Sequence, residues 1–427
     1  MVCLHAGDGD SLAAQTPTLD QQTRRRTVAL LAIALGVFTV TATEMVPIGL
    51  LPDIAADLRR SEGAIGLSVS LYGVIAGLLA PFLTAAFRRL DRRSLLLLIL
   101  VTFTLGNILT AVSFSYAVLL VSRLLTGVVH GVMWSVVASI AVRLVRPERG
   151  VQATAIVFSG ISLALVLGVP LGTFIGHLWG WRIAFATLAV LSALTVALLV
   201  ALMPRLPPDG GVDLRELPRL LRIPNLRIAV VLTSVVVIGN YAAYTYVTPF
   251  LIGHAGIDAG WVSALLLCYG VAGLVGNFAG AHVVARGRPL GRVLAWSIMV
   301  LCGALILLFP LGTWVIGVAV SLAVWGAAYS ALPVILQTLV LRSAPGQGEA
   351  ATSVYVLAFN VSIALGALSG GIGIDNGGAS MPVVVGVSFC VLALAATLTA
   401  SPRLGGTPLL GMGDQGQLGP EQGHENG

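Results

Sequence analysis

The sequence predicts an all-α integral membrane fold, with about twelve transmembrane helices in two pseudo-symmetric six-helix bundles. Three observations carry that prediction. The composition is 57% hydrophobic and only 10% charged, where soluble domains carry roughly a quarter charged residues, so most of the surface does not face water. Apolar runs of the roughly 20 residues that a helix needs to cross a hydrocarbon core recur along the chain. Small groups of residues also repeat between the two halves at a nearly constant offset.

Taken in order, the spans fall at 27–52, 63–87, 94–113, 115–142, 150–176 and 182–203, then 226–252, 259–284, 290–310, 312–341, 349–374 and 380–401. Only a short turn at Phe114 separates spans three and four. Residues 1–26 are polar and end on Arg24-Arg25-Arg26. A secretory signal has its basic region within the first few residues. A basic cluster abutting a full-length span instead reads as the flank of an uncleaved first helix, with a disordered cytoplasmic tail before it. Segment 204–225 holds Pro204, Pro207, Pro208, Pro218 and Pro224 with mixed charge, and reads as a linker between bundles 27–203 and 226–401. Residues 402–427 are Gly-rich and polar, the composition of a disordered tail.

All 24 basic residues are arginine, which excludes a P-loop lysine, a Schiff-base lysine and a Ser-Lys dyad. Twenty of them fall in loops on one side, and only Arg59, Arg60 and Arg182 on the other. The positive-inside rule then places both termini in the cytoplasm of a multi-pass protein of the cell membrane. Charges so distributed are topology signals and imply no nucleic-acid partner. Cys3, Cys268, Cys302 and Cys390 form no close pair and no zinc spacing, so no metal or cofactor is expected. The chain has neither H-E-x-x-H nor G-x-S-x-G and no soluble region large enough for a nucleotide domain, so it reads as neither an enzyme nor an ATP-driven pump.

The repeat is visible residue by residue. Tyr72-Gly73-Val74 matches Tyr269-Gly270-Val271, and Pro52 matches Pro249 at the same offset. Gly131 before Trp134-Ser135 matches Gly326 before Tyr329-Ser330, and Ser162 with Ala164-Leu165 matches Ser362 with Ala364-Leu365. Parallel six-helix repeats are a transporter architecture, with the binding site between the halves near the bilayer midplane.

An ionisable group inside a span is a functional hypothesis by default. Glu44 is the one carboxylate that falls well inside a span. It lies eight residues before Pro52, or ~12 Å at 1.5 Å per residue. Arg123 lies at nearly the same depth in span four, so the two can pair and lower each other's burial cost, either for proton coupling or substrate binding or as a static pair that fixes helix packing, unless Glu44 snorkels to the outer interface. Arg123, Gly127, His130 and Trp134 share one helix face. An imidazole near mid-span suits either a proton relay or plain packing. The second half offers polar and aromatic candidates in place of charges: Asn240, Tyr241 and Tyr244 on span seven and Asn277 on span eight. Trp325, Tyr329 and Gln337 follow on span ten, and Tyr355, Phe359 and Asn360 on span eleven. Together with Trp134 they suit an amphiphilic ligand, although interhelical hydrogen bonding explains them equally well.

Arg123, Gly127 and Gly131 stand close to an R-x-x-x-G-x-x-x-G pattern. Span five carries Gly160, Gly168, Pro170, Gly172 and Gly176, followed by Gly180-Trp181-Arg182 and Phe185. Span one carries Thr43-Glu44, Pro47, Gly49 and Leu50-Leu51-Pro52. On these residues the chain resembles the major facilitator superfamily over nearly its full length, and within it the twelve-span drug:proton antiporters and the bacterial sugar- and multidrug-efflux branch. The family's loop between spans two and three reads G-x-x-x-D-R-x-G-R-R. Here Arg88, Arg89, Arg92 and Arg93 keep its basic character, while Thr84, Arg88 and Asp91 stand at the first Gly, the Asp and the second Gly. The second-half copy keeps Gly280, Gly287 and Arg288 but has Val284 at the Asp. The resemblance implies secondary transport by alternating access: proton-coupled efflux of a small drug, sugar or metabolite, with proton-coupled uptake as the alternative. The buried charges make Glu44, Arg123 and His130 the candidate proton-coupling set, and the expectation is a monomer whose partners are its substrate, protons and the lipid bilayer.

Overall fold

The computed structural model describes residues 19–146, 149–208, 217–312, 314–345 and 347–404. Twelve of its helices are long and apolar enough to cross a membrane. In the first half these are α1 (Leu19–Gly49), α2 (Glu62–Ala86), α3 (Arg92–Ala111), α4 (Tyr116–Arg143), α5 and α6 (Trp181–Leu202). The run α5 joins Gly150–Leu163, a π-helical turn Ala164–Gly168 and Val169–Trp179. In the second half they are α7 (Pro224–Tyr244), α8 (Ala259–Ala285), α9 (Leu290–Leu311), α10 (Val315–Ser343), α11 (Gly348–Gly377) and α12 (Met381–Leu404).

The helix ends follow local chemistry. Asp91 accepts from the Ser94 amide at the start of α3, Ser115 from Val118 at α4, and Asp258 from Gly260 at α8. Each supplies an acceptor for amides that no intrahelical carbonyl can reach. Asp91, the residue out of place in the family loop pattern, is therefore a helix cap. Four boundaries differ from the sequence expectation. Helix α1 starts at Leu19, so residues 19–26 extend the first helix. The α7 helix ends at Tyr244, after which Val247–Pro249 and a π turn Phe250–His254 complete the crossing. Part of the expected linker, Leu217–Leu220, is helical, and α12 continues to Leu404. The remaining expected tails, 1–18 and 405–427, lie outside the described residues.

The π turn in α5 has a backbone cause. Pro170 has no amide hydrogen and its ring crowds the carbonyl four residues back, so regular α bonding cannot run through it. A π turn ending at Gly168 re-registers the ladder.

Among the described residues, the halves meet chiefly where α2 packs on α11 and α5 on α8. The α2–α11 seam is close along its length: a Cβ on Gly73 would stand 3.2 Å from the Asn360 carbonyl oxygen, and one on Gly77 3.3 Å from Asn360 Cβ. It runs from mid-depth to the end of the bundle opposite Leu19 and Leu404, the far face.

Small residues likewise set the packing inside each half. Gly127 lies against the Tyr72 carbonyl in the first half, and Gly326 against the Tyr269 carbonyl in the second, so the repeat survives as a contact between the second and fourth helices of each bundle. Between α8 and α10, a Cβ on Gly276 would overlap the backbone of Ala327. Backbone cannot retreat as a flexible side chain can. Gly276→Val is therefore expected to lower stability by about 3 kcal/mol or more, read as a drop in melting temperature in detergent. An unchanged melting temperature would show that these helices can separate freely.

Candidate functional site

Pro47 in α1 has no amide to give to the carbonyl of Thr43, four residues earlier. At this depth no water is at hand to replace that bond. Arg123 of α4 does so: its Nη1 donates to the Thr43 carbonyl at 2.9 Å. The hydroxyl of Thr43 donates to the Thr39 carbonyl at 2.7 Å and accepts from Asn107 of α3 at 2.9 Å. Thr43 thus ties together three helices. The guanidinium of Arg123 also lies over the Phe185 ring of α6, 5.0 Å from its centroid. Its Nε and Nη2 have no hydrogen-bond partner among the described residues, although the residue is only 2% exposed.

Glu44 is 8% exposed and does not pair directly with Arg123. Arg123 takes the backbone of Thr43, and Glu44, about 100° further round the helix, turns its carboxylate elsewhere. The pairing of Glu44 with Arg123 is corrected accordingly: no ion pair within salt-bridge distance joins the two residues. The nearest basic atom to Glu44 in an ion-pair geometry is His130 Nε2, 3.7 Å from Oε2. Glu44's helix neighbours Met45 and Ile48 join the buried core that contains Tyr241 of α7.

His130 is held on both ring nitrogens. The Trp134 indole donates to Nε2 at 2.8 Å. An indole nitrogen can only donate, so Nε2 is the acceptor and the ring hydrogen of the neutral imidazole sits on Nδ1, which is bonded to the Tyr72 hydroxyl. Trp134 in turn stacks on Phe158 of α5, with centroids 6.3 Å apart. Glu44, His130, Tyr72 and Trp134 therefore form one chain of polar contacts across α1, α2 and α4.

The glycines of α5 press against α1 on both sides of Glu44. Gly160 abuts the Ala34 carbonyl, Gly168 abuts Ala42, Gly172 abuts Val46 and Gly176 abuts Leu50. Their absent side chains let α1 lie close, and this fixes the rotation that aims Glu44. Gly131 of α4 packs on Ala76 and Ala80 of α2 in the same manner.

In the second half the structure gathers some predicted residues and separates others. Trp325 donates to Asn240 Oδ1 at 2.8 Å. Tyr244 and Tyr269 stack at 4.7 Å, and Tyr241 and Tyr329 meet edge to face at 6.1 Å. Tyr355 lies 5.7 Å from Phe359 and donates to the Pro333 carbonyl at 3.2 Å. Asn360 turns its amide back to Val356, while its backbone carbonyl forms part of the seam. Asn277 and Gln337 are half-buried and stand apart. Each follows Tyr269 or Tyr329 by eight residues, which places it ~12 Å nearer the termini along its helix.

The basic loop serves packing. The amide of Arg92 donates to the Leu206 carbonyl at 2.8 Å, Arg93 Nη2 to the Val200 carbonyl at 2.6 Å and Arg143 Nη1 to the Pro207 carbonyl at 2.8 Å. The bonds to Leu206 and Pro207 strap the start of the linker to the first bundle, and the bond to Val200 ties α3 to α6. Arg89 is exposed, and the Arg88 side chain lies outside the described residues. Sequence reading passed over Tyr72 except as a repeat marker, and Asn107, Phe158 and Thr43's carbonyl entirely. Two signals could have found them: a lone amide in an apolar span, and a proline four residues after Thr43.

A family model described as the Major Facilitator Superfamily matches residues 33–367. Among solved structures, the chain is similar to a bacterial homologue of the human lysosomal transporter Spinster, in an inward-facing and unoccupied conformation. The TM-score is 0.67 and the identity 16%, covering 89% of this chain and 98% of that one. It is also similar to the human organic anion transporter MFSD10 (TETRAN), with a TM-score of 0.61 and 19% identity, covering 90% of this chain and 100% of that one. At these identities the likeness speaks for the fold.

Proposed function

The chain belongs to the Major Facilitator Superfamily, and on that premise we propose that it couples the efflux of a small amphiphilic molecule to the entry of protons. That it is a multi-pass membrane transporter working by alternating access, and not an enzyme, follows from the family and the twelve-helix fold. The proton-coupled, outward direction is our reading, as is a cell membrane with both termini in the cytoplasm. The observation that carries the reading is the placement of Glu44. The Glu44 carboxylate is buried, with His130 3.7 Å away, and its helix neighbours Met45 and Ile48 join the second-half core that contains Tyr241. A carboxylate exchanges its proton for a cargo only if both reach it from the same space. A site between two rocking halves meets that condition.

The reading is tested in energised inside-out vesicles carrying a lumenal pH probe, against a panel of amphiphilic drugs, sugars and metabolites. At least one compound is expected to discharge the gradient. If instead a compound accumulates in right-side-out vesicles under an inward proton gradient and none discharges the inside-out gradient, the chain is an uptake symporter.

A further inference from the structure

At the far face, the start of α2 is capped from the other half of the molecule. The first amides of a helix have no intrahelical acceptor. Ser61 Oγ accepts from the Ala64 amide at 3.1 Å, as a local cap does. The amide of Gly63 donates instead to Asp375 Oδ1 of α11 at 3.1 Å, and the hydroxyl of Ser61 donates to Asp375 Oδ2 at 2.9 Å. Both carboxylate oxygens of a second-half residue are thus engaged by first-half donors. Gly63 is required there, because a Cβ would overlap the Asp375 carboxylate and the Gly371 carbonyl. Directly beneath, the fully buried Tyr246 fills the seam. Its hydroxyl donates to the Ala367 carbonyl at 2.8 Å, and its ring lies against Gly66 and Gly370.

We propose that Asp375 is the latch of the far face, a residue that sets the balance between the two access states by completing the N-terminal cap of α2 only when this face is shut. Alternating access requires the halves to part here. Parting them removes both of Asp375's donors at once and leaves the Gly63 amide to find water. An interaction made in one state and absent from the other is what biases a two-state equilibrium. The latch does not depend on Glu44 or on proton coupling, so it stands or falls separately from the proposed direction of transport.

The test uses the full chain with its four cysteines replaced by serine and one cysteine introduced at Ser70. Ser70 is buried and shares the seam face of α2 with Gly66 and Gly73, so a water-soluble maleimide reaches it only when the far face opens. Asp375→Ala is expected to speed labelling about tenfold or more, and Ser61→Ala, which removes one of the two donors, to speed it by less. An unchanged rate in a folded, monodisperse Asp375→Ala protein overturns the latch. Should that variant fail to fold, Ser61→Ala decides, since equal labelling of it and the parent has the same meaning. Spin labels at Ala56 and Ser380 give an independent reading: Asp375→Ala should add a longer distance to the distribution, and an unaltered distribution overturns the proposal.

Discussion

Glu44→Gln is expected to abolish the proton response to substrate, by at least tenfold in discharge rate. Glutamine keeps the shape of the side chain and cannot ionise, so it holds the site permanently in its proton-loaded form. In antiport the cargo takes the site as the proton leaves it, and a site that cannot lose a proton cannot make that exchange. Stability points the same way. A charged carboxylate at bilayer depth costs about 2.5–3.5 kcal/mol, and at 3.7 Å His130 is too far for a hydrogen bond that would offset it. The variant should therefore melt no lower than wild type. If Glu44→Gln discharges the vesicle gradient as wild type does, Glu44 is structural and the proton carrier lies elsewhere, with His130 the first place to look.

The second large effect concerns Arg123, and it has an internal control. Its bond to Thr43 exists because Pro47 cannot make one. Arg123→Ala strands the Thr43 carbonyl within the membrane and removes the cation from the Phe185 face. Hydrogen bonds to charged groups are worth about 1.5–3 kcal/mol, so a loss near the top of that range is expected, seen as a lower melting temperature with transport largely gone. Pro47→Ala restores an amide four residues after Thr43. Added to Arg123→Ala, it should return about 1 kcal/mol of stability without returning transport. Strictly additive losses in the double variant would sink the claim that the arginine replaces the proline's missing bond. Arg123→Lys is expected to fall between wild type and alanine, because an ammonium can reach the carbonyl but cannot lie flat on an aromatic ring.

The sequence readily discloses the twelve spans and the two-fold repeat. In a bilayer each of these follows from a local requirement. Backbone polar groups must be bonded within the helix, so span length and apolar content show in the string itself. The capping roles of Asp91, Ser115 and Asp258 were equally local. Even Pro47 was present in the sequence, although its consequence four residues upstream went unread.

What tertiary structure decided was rotation and partnership. Successive residues on a helix point 100° apart, so Thr43 and Glu44, adjacent in sequence, serve different neighbours. Which one meets Arg123 depends on how α1 is turned by the glycines of α5 that press on Ala42, Val46 and Leu50. The same holds for Asp375. In the sequence it is one acidic residue near a helix end, 314 positions from Ser61, and only the packing of α11 on α2 makes it a cap. The sequence by itself determined that the chain has twelve helices long and apolar enough to cross a membrane and that its halves repeat one another. The fold decided which way its charges face, because a helix is specified by bonds within itself, while its rotation against a neighbour is set by contacts between residues far apart in the chain.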